Sequence, residues 1–358
     1  MSAATAIPRY PTDVTSDWLA GVLRSSGSAA EVDAVEVAPV GTGQTGATFR
    51  LTATYAGNPD NLPGSFILKL PANDDAVRDR VTLGYRSECA FYQSVAELVT
   101  IPIPQCYHVE IADDGASYAL LLADQAPPAV QGDQIAGCDL PEARLAVRAL
   151  AGLHGPTWCD ERWQTFPGLA MSVVGGEDAI RGGLGDISKK MAAGITIDKL
   201  GSRLNTQDAE TLVAAMDLVT PWLLNAPPDR FALLHGDYRL DNLLFDGDRV
   251  SVVDWQTLGV GLAGRDLAYF TGTSLEPALR AEAERDLVAD YHRALLDTGG
   301  VSDYDAATCW HDYLLGGMIQ VPLISALGCA FAVETERGDD MMAAMLRRAA
   351  PPSATWAH

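Results

Sequence analysis

The stretch His235-Gly236-Asp237-Tyr238-Arg239-Leu240-Asp241-Asn242-Leu243-Leu244-Phe245 sets a polar loop between apolar runs. Asp246-Gly247-Asp248 follows as a hairpin turn signal, and then Val250-Ser251-Val252-Val253-Asp254-Trp255-Gln256. Pairing of the two arms brings Asn242, at the start of one strand, near Asp254, at the end of the other. An amide and a carboxylate offering oxygen together suit a hard cation. Asp237 stands on the loop beside that cation. Such a set fits transfer of a phosphoryl group, whose loose transition state asks mainly for positioning and charge neutralisation. Magnesium on Asn242 and Asp254 would clamp nucleotide phosphates, Asp237 would orient an acceptor hydroxyl and take its proton, and His235 would brace the loop. The plainer alternative is a polar turn with Asp and Asn as turn formers. An isolated Asp-x-x-x-x-Asn would favour that alternative, whereas the hairpin and the placing of Asp254 favour a site.

Three upstream features bear on the same chemistry. Lys69 lies inside the apolar run Ser65-Phe66-Ile67-Leu68-Lys69-Leu70, in a chain with only four lysines. A lone buried ammonium is costly unless something anionic meets it, so Lys69 is a candidate for the phosphates. Glu88, flanked by Tyr85, Phe91 and Tyr92, is the candidate carboxylate to hold it; an exposed helical glutamate is the alternative. Gly41-Thr42-Gly43-Gln44-Thr45-Gly46 matches G-x-G-x-x-G. A dinucleotide fingerprint must open a helix, but here Phe49, Leu51, Ala53 and Tyr55 alternate as a strand. Gly41, Gly43 and Gly46 therefore read as a flap between two strands, over phosphates. A nicotinamide-dependent oxidoreductase fails on that strand, and no G-x-x-x-x-G-K-[ST] loop is present.

The elements that must position these residues can be read from periodicity. Thr15 caps a helix bearing Trp18, Leu19, Val22 and Leu23, and strands follow over Val32–Val40, Phe49–Tyr55 and Phe66–Leu70. Arg78–Val99 reads as a helix, and Tyr107–Ile111 with Tyr118–Ala123 as a hairpin around Asp113-Asp114-Gly115. Beyond Pro127-Pro128 the chain turns helical: Asp139-Leu140-Pro141-Glu142 opens Pro141–His154, Thr206–Leu224 is a second long helix, and most of Ala278–Ala349 is helical. The expected division is 1–124, a sheet domain for the nucleotide, and 125–358, a helical domain for catalytic loop, metal and acceptor.

The 25 basic and 47 acidic side chains give a net charge of −22, which argues against a nucleic-acid or anionic-membrane surface. No apolar run is long enough to span a bilayer, and no signal peptide is visible. The six cysteines are scattered without a C-x-x-C pair and read as reduced thiols, which points to a cytoplasmic protein.

On these residues the sequence resembles the aminoglycoside phosphotransferase and choline kinase-like superfamily, small-molecule relatives of protein kinases. It is most similar to the ecdysteroid kinase-like branch and related bacterial phosphotransferases. Beyond the loop and Asp254-Trp255-Gln256, the runs Glu88-Cys89-Ala90-Phe91-Tyr92 and Asp266-Leu267-Ala268-Tyr269-Phe270 carry the likeness. The resemblance implies an α+β, bilobal protein-kinase-like fold, with a small antiparallel-sheet lobe holding one main helix and a larger helical lobe. It implies ATP and Mg2+ as cofactors and a small-molecule hydroxyl as acceptor. Asp237 would be the base, Asn242 and Asp254 the metal ligands, and Lys69 with Glu88 the phosphate-anchoring pair. Leu121–Asp124, with Leu122 and Asp124, would be the hinge whose backbone meets adenine. Asp266 would brace the catalytic loop, and His154 would be structural. No Arg precedes Asp237 and no Ala-Pro-Glu follows, which argues against a protein substrate. The alternative from another class is a nucleotide-binding pseudokinase acting as a regulator; the presence of every catalytic position speaks against it.

The acceptor is less legible. Trp310 through Phe331 could line an apolar pocket or be a core helix. Glu282, Glu284, Asp286 and Asp290 could meet a polycation or be a solvated face. Arg181, Lys189, Lys190, Lys199 and Arg203 make a locally basic, glycine-rich segment, read either as an exposed loop or as a lid over an anionic acceptor.

Overall fold

Alternation of apolar and polar side chains builds the first half of the chain, and helical period the second. The computed structural model describes residues 6–40, 47–171, 186–218, 222, 229–319, 324 and 335–349. The chain divides into two compact units, residues 1–98, 103–128 and 254–257, and residues 99–102, 129–253 and 258–358.

The first unit contains α1 (Ser16–Ser25), β1 (Glu31–Pro39), β2 (Ala47–Gly57), β3 (Ser65–Leu70), α2 (Asp75–Ser94), β4 (Cys106–Ile111) and β5 (Tyr118–Ala123). Its strands form one antiparallel sheet in the order β1-β2-β3-β5-β4. Thr15 caps α1 by accepting from the Trp18 N–H at 3.2 Å. Trp18, Leu19, Val22 and Leu23 then pack on Leu51, Phe66, Leu68, Leu70 and Leu121. Lys69 is out of phase with Leu68 and Leu70, so strand geometry turns it to the opposite face, toward α2. That helix begins at Asp75 rather than Arg78 because Asp74 caps it, accepting from the Val77 N–H at 2.9 Å. It ends at Ser94 rather than Val99.

The second unit contains β6 (Val130–Gln131), α3 (Leu140–His154), α4 (Asp186–Leu200), α5 (Thr206–Ala215), β7 (Ala232–Leu234), β8 (Leu243–Asp246), β9 (Arg249–Val252), β10 (Gly259–Gly261), α6 (Gly264–Ser274), α7 (Pro277–Asp297), α8 (Ala306–Met318) and α9 (Glu336–Ala349). The capping box of α3 forms as its sequence demands, between Asp139 and Glu142. The single helix expected over Thr206–Leu224 is instead α5 followed by a 3-10 turn, Met216–Leu218. Two small antiparallel sheets, β6-β8-β9 and β7-β10, carry the loop region. Every residue of α6 is buried. It lies so close to α8 that a Cβ on Gly264 would collide with the Asp312 backbone, and one on Gly316 with the Gly264 backbone.

Among the described residues no helix is long and apolar enough to cross a membrane. Cys89, Cys106, Cys138, Cys159 and Cys309 are free thiols, and Cys329 lies outside the described residues.

Candidate active site

In the first unit, Lys69 on β3 meets Glu88 on α2. Its Nζ donates to Glu88 Oε1 at 2.6 Å and Oε2 at 2.8 Å, and to Asp254 Oδ1 at 3.4 Å. The Glu88 side chain is fully buried, whereas that of Asp254 is 34 % exposed. Burial alone would lower the lysine's proton affinity, but the two carboxylates outweigh it and hold the ammonium above its ordinary value.

Asp254 reaches this cluster because the residues after it are clamped on α2. The Trp255 ring stacks on Phe91 with centroids 3.6 Å apart, and Ser87 Oγ donates to the Trp255 carbonyl at 3.0 Å. Gly84 leaves room for Gln256, whose side chain would lie 3.3 Å from a Cβ there. Asp254 itself has φ +69°, a left-handed conformation that Asp tolerates better than most residues.

Leu122 is buried in β5 opposite Ile67. Asp124, just past the strand end, turns its side chain inward. Its Oδ2 accepts from Arg50 Nε at 2.6 Å and from Ser65 Oγ at 2.6 Å, and its Oδ1 accepts from the Ala126 N–H at 3.1 Å. Burial would raise this carboxyl, but Arg50, Ser65 and the Ala126 N–H hold it below the usual carboxylate value. The side chain therefore fixes the backbone course of the segment. Gly41, Gly43 and Gly46 lie outside the described residues.

In the second unit, Gly236 has φ +81°, which turns the chain sharply between β7 and Asp237. Asp266, in the first turn of α6, holds that turn: its Oδ2 accepts from the His235 N–H at 2.6 Å and its Oδ1 from the Gly236 N–H at 3.1 Å. Burial opposes ionisation of Asp266, but His154, with Nε2 at 3.6 Å, and also His235 and Arg265 hold its carboxyl below the usual value. His235 Nε2 donates to the Val253 carbonyl at 3.1 Å, which leaves Nδ1 to accept from the Asp237 N–H at 3.3 Å. The ring thus ties the loop to the chain just before Asp254.

The Asp237 carboxylate is held by three side chains. Tyr269 OH donates to Oδ1 at 2.8 Å, and Arg239 Nε donates to Oδ1 at 3.1 Å and Oδ2 at 2.9 Å. Asn242 Nδ2 donates to the Asp237 carbonyl at 2.8 Å and to Oδ2 at 3.2 Å. The amide nitrogen of Asn242 is thereby committed to Asp237, and its Oδ1 is the atom left to meet a cation. The hairpin register is as the turn signal requires, with Asp246 opposite Arg249 and Leu243 opposite Val252. The Val253 N–H donates to the Asn242 carbonyl at 3.0 Å, and Asp254 follows by one peptide bond.

Arg239 and Tyr269 hold the Asp237 carboxylate, and neither residue is singled out for such a contact by the sequence pattern. Arg239 has extended backbone, so it shares a side with Asp237 two positions earlier, and that spacing was the available signal. It also binds Asp241, Nη1 to Oδ2 at 2.8 Å, and Arg337 reaches the same carboxylate at 3.1 and 3.2 Å.

The acceptor candidates resolve unevenly. Asp290 is buried between Arg144, Arg148 and Arg293, so it faces no polycation. Lys199 pairs with Asp339 and Arg203 with Asp340, both on α9. Arg181 lies outside the described residues, as does much of the stretch from Gln320 to Phe331. Trp310 stacks under Arg285 at 4.1 Å.

The sequence matches the model of the phosphotransferase enzyme family over residues 36–307. It is 41 % identical over 69 residues to acyl-CoA dehydrogenase family member 11 of Gallus gallus, a match covering 18 % of this chain and 9 % of that protein. It is 32 % identical over 129 residues to acyl-CoA dehydrogenase family member 10 of Mus musculus, covering 31 % of this chain and 12 % of that one. The matches therefore span only a small part of these two curated relatives. The fold is similar to that of choline kinase from Cryptosporidium parvum, with a TM-score of 0.52 and 12 % identity over 88 % of each chain.

Proposed function

Since this chain belongs to the phosphotransferase enzyme family, we propose that it moves the γ-phosphoryl group of ATP to a hydroxyl of a small molecule, with Asp237 as base. One observation carries the reading: the Asp237 carboxylate is fixed by Tyr269, Arg239 and Asn242 on a loop whose turn is braced by Asp266 and His235. A base must be held within hydrogen-bond reach of the proton it removes, and these bonds fix the direction of the Asp237 carboxylate.

The donor set fits a magnesium ion. Asn242 offers Oδ1 and Asp254 a part-exposed carboxylate; an ion of this kind takes one or two protein oxygens and completes its shell with phosphate and water. Bound magnesium supplies neutralisation of charge on the phosphates. Lys69, held charged by Glu88 and Asp254, supplies a further cation for phosphate oxygens. Backbone groups around Leu122 and Asp124 would take the base of the nucleotide, with Gly41, Gly43 and Gly46 as the flap.

In the step itself the acceptor hydroxyl oxygen bonds to the γ-phosphorus and its proton passes to Asp237. The bond from γ-phosphorus to the bridging oxygen breaks, and its electron pair leaves on ADP. A regulator without activity is not favoured, because Lys69, Asp237, Asn242 and Asp254 are all present. The test is ADP release over a panel of hydroxylated lipids, steroids, sugars, aminoglycosides and macrolides, with and without magnesium. Magnesium-dependent release with at least one alcohol supports the reading, and nucleotide binding without release across the panel sinks it.

A further inference from the structure

Among the described residues of the second unit, most arginines of low exposure meet a carboxylate. Arg348 Nε binds Glu276 at 2.7 Å, Arg230 binds Asp312 at 2.8 and 2.9 Å, and Arg239 lies between Asp237 and Asp241. Arg265, in the first turn of α6, is 6 % exposed. Among the described residues no carboxylate comes within ion-pair distance of its guanidinium. Its one side-chain hydrogen-bond partner there is Met171 Sδ at 3.5 Å, a weak acceptor. The adjacent Asp266 is already committed to the His235 and Gly236 N–H groups and to His154. Burial pulls Arg265 below its ordinary value, yet a guanidinium does not lose its proton in a protein. Apart from the field of Asp266, nothing anionic offsets the burial of this permanently charged fork, which is expensive to keep.

Its position says what the fork is for. Arg265 and Tyr269 are four residues apart on α6, so they share one helix face, about 5–6 Å apart at Cβ. Helical side chains lean toward the N-terminus, which carries the Tyr269 ring back over the Arg265 turn. Tyr269 OH is the group bound to Asp237 Oδ1 at 2.8 Å. The cation therefore lies on the same face of α6 as the residue that holds the proposed base.

We propose that Arg265 is the recognition site for an oxyanion on the acceptor, so that the acceptor is an alcohol that also carries a carboxylate or phosphate group. This deepens the phosphotransfer reading and rests on it. A guanidinium presents two parallel N–H groups, which match the two oxygens of a carboxylate or phosphate. The acceptor's anion would neutralise the fork while its hydroxyl meets Asp237. In a chain of net charge −22, a buried cation that no described carboxylate bonds is then a selective feature rather than part of a general basic surface.

The experiment compares acceptors in matched pairs, on the full chain and on Arg265→Met and Arg265→Lys. One arm uses a homologous series of hydroxyalkanoates against their methyl esters, and the other glycerol phosphate against glycerol; the arms separate carboxylate from phosphate. The wild type is expected to use the anionic member of a pair with a KM at least about tenfold lower. Arg265→Met is expected to raise that KM about ten- to a hundredfold and to change the KM of the neutral member far less. Arg265→Lys, which keeps charge without the fork, falls between. A second readout needs no turnover: Arg265→Met alone should melt higher than the wild type, and the favoured anion should raise the melting temperature of the wild type only. Anion-specific stabilisation lost in Arg265→Met, with no ADP release from any alcohol of these arms or of the wider panel, keeps the oxyanion site and sinks the phosphotransfer reading. Phosphorylation of neutral or cationic alcohols that Arg265→Met leaves untouched overturns the oxyanion site and keeps phosphotransfer. A clear drop in melting temperature for Arg265→Met also overturns it, because that would mean the charge is already compensated.

Discussion

Two clusters in this molecule place one cation between two carboxylates, and they end in different states of charge. Lys69 lies between Glu88 and Asp254, one positive group against two negative ones, and the surplus sits on the more exposed acid, Asp254. Arg239 lies between Asp237 and Asp241, and Arg337 joins at Asp241, so two cations face two acids around the aimed carboxylate; the other partner of Arg337, Asp133, is exposed and lies at 3.4 Å. The first cluster is therefore built to accept a further cation. The second is electrically closed, and what it fixes is direction: it aims one carboxylate. The same three-group motif serves charge in one unit and orientation in the other.

The sharpest way to break that contrast is to remove the aimed charge. Asp237→Asn is expected to cut turnover about a thousandfold, within the range for loss of a general base. Folding should survive, since Arg239 keeps Asp241 and the new amide oxygen still accepts from Tyr269. Nucleotide binding measured by calorimetry should persist. Substantial ADP release from this variant would refute the assignment of Asp237 as base.

The surplus cluster should respond through stability instead. Lys69→Met strands a fully buried Glu88 without its cation, which costs about 3–5 kcal/mol in denaturant unfolding. Adding Glu88→Leu should recover much of that loss, because the pair is then replaced by apolar groups, but should not recover nucleotide binding. If Lys69→Met unfolds like the wild type, Glu88 is not paid for by Lys69 and the cluster is misread.

The pH dependence of stability separates the two regions further. The Lys69 value is raised, so its contribution is complete below the ordinary lysine value of 10.5 and is lost as pH rises through the higher folded value. The Asp266 value is lowered, so its contribution is present above the ordinary 3.8 and is lost as pH falls through the folded value. Melting temperature against pH should therefore lose its alkaline fall in part with Lys69→Met and its acid fall in part with Asp266→Asn. Exchange of the two effects would overturn the assignment.

How much of this could be read from the sequence depends on how local each signal is. The strand containing Lys69 and the hairpin from Leu243 to Val252 follow from period and turn chemistry within a few residues, and both are found. The limits of α2 were missed at both ends, Asp74 capping its start while the Arg78–Val99 expectation began later. The break after Ala215 also escaped, since helical period alone continued past it. Trp255 stacking on Phe91 joins residues far apart in sequence, and nothing in either neighbourhood announces it. Arg265 is the extreme case. Its significance is a missing partner, and only a fold can show which carboxylates are already spent.

The smallest expected effect tests the finest part of the comparison. Tyr269 donates to Asp237 Oδ1 at 2.8 Å, and its ring is buried among Leu212, Met341 and Met345. Tyr269→Phe keeps that packing and deletes one donor. Arg239 still contacts both carboxylate oxygens and Asn242 still contacts Oδ2, so the charge balance of the cluster is untouched. A single hydrogen bond to a charged group is worth about 1.5–3 kcal/mol, and the remaining donors should recover part of it. The expected result is therefore a fall of about three- to tenfold in kcat with little change in the KM of either substrate. A role in packing alone would leave kcat and KM together at their wild-type values in the folded fraction. If kcat holds while thermal stability drops, Tyr269 supports the core and the aiming of Asp237 belongs to Arg239 and Asn242.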